Sequence, residues 1–240
     1  MKTSADSNSG RMTAAVDLML IIGFLLSLKS WLLSVDAIWS YAGPISLLGA
    51  LGIATWRLRV NGDSWASLGL APPGSLKWTL VWTFVALVVT IATGILAQSL
   101  AVNVRGAPDA ATQTIDARYQ GRFDDLPGNL PAFLFWLATA WVVGGFTEEM
   151  LFRAALFSRF EGLLARFPFA AILAVTGQAI LFGQQHYYYL GLAGWVATGA
   201  IGFVSGGLYF VFMRNLWPLV LSHGLSNTLG LTLLYFGVPV

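Results

Sequence analysis

The sequence contains no cysteine. Disulfides, thiol nucleophiles, iron–sulfur clusters and cysteine-bound zinc are therefore excluded together. Charge is also scarce: only 10% of the 240 residues are Asp, Glu, Lys or Arg, against about a quarter in soluble domains. A chain this poor in charge has too little polar surface to cover a globule in water. The formal net charge is +2 with no block of basic residues, so nothing points to nucleic acid as a partner. Histidine is rarer still, with two in the chain. No internal repeat and no second domain are visible.

What fills the sequence instead is apolar. Hydrophobic residues make up 57%, and several runs exceed the roughly 20 residues that cross a bilayer as a helix. The runs are continuous, without the short alternating pattern of a membrane β-barrel. The expected fold is all-α, a polytopic transmembrane helical bundle of about seven spans. They lie near 14–34, 38–58, 77–101, 130–157, 168–188, 190–212 and 217–236. Residues 1–13 read as a polar N-terminal tail and 14–240 as a single transmembrane domain. No small-residue cleavage site follows the first span, which reads as a retained helix. The connection "RVNGDSWASLGLAPPGSL" carries Gly, Asp, Ser and a Pro pair and reads as a loop. The longest polar connection, 102–129, is long enough to fold over the mouth of a site.

Lys and Arg set the expected orientation. Lys2, Arg11, Arg57, Arg59, Lys77, Arg159, Arg166 and Arg214 fall on the N-terminal side. Arg105, Arg118 and Arg122 fall on the other, among four aspartates. The N-terminus is thus expected in the cytoplasm and the C-terminus outside. Lys29 and Arg153 lie within spans and do not enter this count. The compact loops point to a multi-pass protein of a bacterial inner membrane.

Polar residues inside spans are costly unless paired or facing a wet cavity, so they mark function. Three clusters stand out. In "GGFTEEMLFRAAL", residues 144–156, Glu149 and Arg153 are four apart and share a helix face. Glu148 points about 100° away from Glu149 on an α-helix. One carboxylate can be neutralised as a brace while the other is aimed elsewhere as a base toward water. In "LFGQQHYYYLG", Phe182 and His186 share a face at i and i+4. In "NLWPLVLSHGLSNTLG", His223 and Asn227 repeat that spacing, with Asn215 and Pro218 at the helix start. Gly144, Gly145, Gly199, Gly202, Gly206 and Gly207 would permit close helix approach. Each cluster has a purely structural reading: a helix-locking salt bridge, an interfacial His in an aromatic belt, an Asn bonding a neighbouring helix.

Together, two Glu, two His, one Arg and one Asn from three helices suit hydrolysis by an activated water. The site is expected between helices four, five and seven. Two His and a Glu also resemble a zinc triad, with Glu148, His186 and His223 as the ligands if a metal is present. No HExxH occurs, so the spacing does not require one. No GxSxG elbow is present.

"EEMLFR" fits an EExxxR motif, "FGQQH" an FxxxH motif and "HGLSN" an HxxxN motif. In this order within spans, they resemble the CPBP family of membrane proteins, also called Abi. That family includes the type II CAAX prenyl endopeptidases and bacteriocin-processing or self-immunity proteins. The resemblance covers roughly 130–236, and "GGLYF" and "NLWPLVLSH" reinforce it. It implies an intramembrane endopeptidase in which Glu148 activates water with His186. Glu149 and Arg153 would support and orient the site, His223 and Asn227 would stabilise the oxyanion, and Phe182 would pack beside the cavity. It implies a membrane-associated peptide or protein substrate and a mechanism that requires no cofactor. Ala154 stands where many members have Gly.

Two other readings stay open: a non-catalytic membrane scaffold or self-immunity protein, and a transporter relaying protons, against which the lack of inverted repeats speaks. One geometric tension stands. The assigned spans put Glu148 and His223 at similar depth but His186 near the opposite end of its span. Convergence requires the fifth helix to be offset, or residues 158–167 to be partly helical.

Overall fold

The computed structural model describes residues 4–105 and 110–238. Lys2, counted toward orientation, lies outside them. Among the described residues there is no strand. Helices α1 (Ser4–Leu33) and α2 (Ala42–Val60) are joined by a 3₁₀ turn, Asp36–Tyr41. The loop after α2 contains one wide turn, Ala66–Leu70, before α3 (Leu76–Arg105). The long polar connection holds α4 (Ala110–Gly121). Next, α5 (Leu130–Thr139) runs through a π-helical stretch (Ala140–Leu156) into α6 (Phe157–Leu163), followed by α7 (Ala170–Val211) and α8 (Trp217–Tyr235).

Five helical stretches are long and apolar enough to cross a membrane. They are Ser9–Leu33, Asp36–Val60, Leu76–Val104, Leu130–Leu163 and Ala170–Val211. The last has 42 residues, at about 1.5 Å each twice the thickness of a bilayer core. It does not run straight. Gly191 takes φ 62°, ψ −162°, a backbone state that essentially only glycine enters cheaply. There the helix turns back on itself. Gln178 Nε2 donates to Gly202 O at 2.8 Å and Trp195 Nε1 to Ile180 O at 3.2 Å. The limbs 170–190 and 192–211 thus correspond to the fifth and sixth expected spans. The 19-residue α8 corresponds to the seventh; its His223, Asn227 and hydroxyl residues lower its hydropathy without shortening it.

Small residues allow these helices to approach closely, since lipid gives apolar side chains little reason to leave it. A Cβ added at Gly206 would fall 2.8 Å from Gln178 Nε2, and one at Gly202 3.1 Å from Phe182. Gly199 makes only ordinary contact and Gly207 faces open space. α3 is the most lipid-exposed span, with 11% of its window buried, and packs against α7 and α8.

Charged side chains tie one end of the bundle together. Asp17 on α1, fully buried, accepts from Arg57 Nε at 2.5 Å and Asn61 Nδ2 at 2.8 Å and forms an ion pair with Arg159 Nε at 2.8 Å. Arg159 also reaches Asp63 at 2.8 Å, and Arg214 pairs with Glu161 at 2.8 and 3.0 Å. The "SLGLAPP" loop docks here. Leu216 N donates to Gly69 O at 3.0 Å, Tyr209 Oη to Leu68 O at 3.0 Å and Trp217 Nε1 to Ala71 O at 2.8 Å. Asn215 Oδ1 accepts from Trp217 N at 3.0 Å, with Pro218 in the first turn of α8.

Candidate active site

The stretch that carries the two glutamates is not an α-helix. From Ala140 to Leu156 the backbone widens to the π form, and Thr147 Oγ1 donates to Val142 O five residues back at 2.8 Å. Such stretches are rare and recur at functional sites. A wider helix turns each residue through a smaller angle. Glu148 and Glu149 therefore diverge less than α-geometry predicts, and one histidine reaches both.

That histidine is His223. Its Nδ1 lies 2.8 Å from Glu149 Oε1 and its Nε2 lies 3.9 Å from Glu148 Oε2. With Glu149 ionised its oxygen can only accept, so Nδ1 carries the hydrogen and Nε2 is turned toward Glu148. Glu149 Oε2 is 3.2 Å from Arg153 Nε. Glu149 is 2% and Arg153 1% exposed. That contact has ion-pair distance but not hydrogen-bond geometry, because Glu149 Oε2, Arg153 Nε and Arg153 Nη1 have no hydrogen-bond partner among the described residues. The guanidinium also sits 4.0 Å above the centre of the Phe182 ring. Glu149 thus braces Arg153, as its spacing predicts, and grips His223 as well, which its spacing does not reveal. Glu148 is 8% exposed, and its buried Oε2 has no hydrogen-bond partner among the described residues.

Glycines set how near α8 comes. A Cβ at Gly144 would fall 2.5 Å from Asn227 Nδ2 and 3.5 Å from His223 Nε2. A Cβ at Gly224 would fall 2.5 Å from the Trp141 ring, whose Nε1 donates to Thr228 Oγ1 at 3.0 Å. Gly145 faces Val220 O and Gly224. Asn227 Nδ2 makes one long contact, 3.5 Å to Ala140 O, so its amide is loosely held.

His186 sits one step away. Its Nδ1 donates to Phe182 O at 2.8 Å, because a carbonyl can only accept, and this leaves Nε2 as the acceptor of the neutral ring. Phe182 is the hub, with ring centres 4.7 Å from His186, 6.4 Å from His223 and 5.2 Å from Phe152. Among the described residues no ion pair joins Glu148 to His186. The tension in depth resolves because α6 continues the helix to Leu163 and the first limb of α7 starts only at Ala170.

Two cavities meet these residues. One, of about 260 Å³, is lined by Glu148, His186, Asn227, Lys29, Arg122 and Trp136 among others. The second, of about 430 Å³, is lined by Glu149, Arg153, Phe182, His186, His223 and Asn227, and extends to Gly94 and Ile95 of α3. His186, Tyr189, Ser226, Asn227 and Tyr119 border both. Tyr119, on α4, brings the long polar connection against the site, as its length suggests. Burial raises the Tyr119 hydroxyl above its ordinary pKa, against the Arg122 cation nearby, so it remains a donor. All six candidate catalytic residues and Phe182 therefore border this pair of cavities, from the π stretch, the first limb of α7 and α8. Glu148, His186 and His223 do not form a metal-ligand set. Among the described residues no group of three His, Cys, Asp or Glu is placed to hold an ion.

Sequence reasoning passed over Lys29. It is 3% exposed on α1 and borders the first cavity. A lysine inside a span was the available signal.

No curated protein and no solved structure matches the chain. Residues 130–229 of the 240-residue chain match a family model described as type II CAAX prenyl endopeptidase Rce1-like, and over that segment the chain is similar to that family.

Proposed function

We propose that the protein is an intramembrane endopeptidase that hydrolyses a membrane-associated peptide or protein through a water activated by Glu148. The observation that carries this reading is the Glu148–His223–Glu149–Arg153 cluster, with Glu148 lining a cavity and its Oε2 without a hydrogen-bond partner among the described residues. The 3.9 Å between Glu148 Oε2 and His223 Nε2 is too long for a direct hydrogen bond. One water oxygen can sit within reach of both. Glu148 takes its proton as the oxygen bonds to the scissile carbonyl carbon, giving a tetrahedral oxyanion. The Asn227 amide, which is loosely held and close to His223, donates to that oxyanion. Collapse breaks the C–N bond, and Glu148 returns the proton to the leaving amine, yielding a carboxylic acid, which gives up its proton to solvent or to the amine, and the amine. Glu149 and Arg153 hold His223 in one tautomer; His186 borders the cavity with Nε2 free to contact substrate or water.

No resident metal or cofactor enters this scheme. The N-terminus is assigned to the cytoplasm of a bacterial inner membrane, which places the Asp17–Arg57–Arg159 end inside. The test is a peptide library assayed with detergent-purified protein, with and without chelator, with products read by mass spectrometry. Cleavage that survives the chelator and disappears in Glu148→Ala is expected. Cleavage abolished by chelator and restored by added zinc would contradict the scheme.

A further inference from the structure

The scheme above leaves one buried cation unused. Lys29 comes from α1, outside the matched segment 130–229. Its ammonium donates to Gln185 O at 2.5 Å and Gln185 Oε1 at 2.9 Å, and rests 4.4 Å from the centre of the Tyr188 ring. None of the ion pairs among the described residues includes it. A buried ammonium whose direct contacts are all neutral is costly inside a membrane protein even with the Glu148 carboxylate acting on it through space, so a bare structural role accounts poorly for it. Three contacts pin its position, so it cannot swing out to the bilayer surface as lysines near helix ends do.

An ammonium carries three N–H donors, and the two Gln185 oxygens take two. The group borders the cavity that also holds Glu148, His186 and Tyr189. An extended peptide entering a site shielded from water brings backbone carbonyls that need donors. Resting on the endopeptidase reading, we infer that Lys29 is a substrate-binding residue that donates its third N–H to a backbone carbonyl of the peptide held against Glu148. The N-terminal half of the chain thereby completes a site whose hydrolytic groups all come from the other half.

The experiment uses the full chain in detergent and one apolar decapeptide in two forms, C-terminally amidated and free acid. Hydrolysis is followed with the wild type. Binding of the same peptides, dansyl-labelled, is followed with the Glu148→Gln protein, which reads Lys29 whether or not the wild type cuts them. Lys29→Met is expected to raise KM, and the Kd in the Glu148→Gln background, about tenfold for both forms. Its kcat should stay within about twofold, and Lys29→Arg should recover most of the affinity. Unchanged KM and Kd, or a loss confined to kcat, would overturn the inference. A loss confined to the free acid would overturn the carbonyl assignment. If the wild type cuts neither form while Lys29→Met still weakens binding, the endopeptidase reading fails and Lys29 stands as a peptide ligand. Absence of any binding overturns both. Should Lys29→Met fail to fold, Lys29→Gln takes its place with the same rise expected.

Discussion

Glu148 and Glu149 are adjacent in sequence but differ in partners. Glu149 bonds His223 at 2.8 Å and faces Arg153 at 3.2 Å, whereas Glu148 presents a buried oxygen without a hydrogen bond. Their substitutions should therefore fail differently. Glu149→Gln leaves Arg153 as a buried unpaired charge and is expected to cost about 3–5 kcal/mol, read as a lowered melting temperature in detergent, together with lost activity. Glu148→Gln breaks no hydrogen bond at Oε2 and loosens only the 3.9 Å contact with His223, so it should melt near the wild type. That these residues belong together was legible in the sequence, because a carboxylate pair, an arginine and two histidines inside spans have few cheap explanations. Their division was not. Which carboxylate holds His223 depends on a π-helical backbone that no spacing rule for α-helices reports.

At the scale of elements, the site depends on how closely three helices approach. Gly144→Ala would place a methyl 2.5 Å from the Asn227 amide, so the amide must shift. The expected result is a fall in kcat of about 10²-fold, larger than any fall in thermal stability. Gly69 acts elsewhere and differently. It has φ 96°, and a side chain there would overlap the Arg214 carbonyl. Gly69→Ala should destabilise by about 1–3 kcal/mol and leave KM of the folded fraction unchanged, as melting and steady-state kinetics would read. The limits of the spans were visible in composition, including the break beside residue 190, where "YYYLGLAG" interrupts an apolar run. The turn at Gly191, which stacks the two limbs antiparallel, requires a positive φ that sequence only permits. The partners of Asp17 and Lys29 were unreadable for another reason: they lie far along the chain, in and after α2, in α6 and in α7.

For the whole molecule, five apolar crossing-length stretches, the doubled-back α7 among them, together with α8 describe a multi-pass membrane protein. One end gathers Arg57, Arg159 and Arg214 with their acidic partners, the arrangement expected of a cytoplasmic face. The lack of cysteine makes sidedness simple to measure. In intact cells, a membrane-impermeant maleimide should label Asp125→Cys and spare Ser9→Cys until the membrane is opened. The reverse pattern would invert the topology. Residue, element and molecule meet at Glu148, which the π stretch presents beside His223 and the bundle shields from bulk solvent. The most direct test compares wild type with Glu148→Gln on one cleavable peptide, measuring both hydrolysis and peptide Kd. The account predicts that hydrolysis falls by about 10²-fold or more while Kd and melting temperature hold. Hydrolysis by Glu148→Gln at the wild-type rate would contradict it.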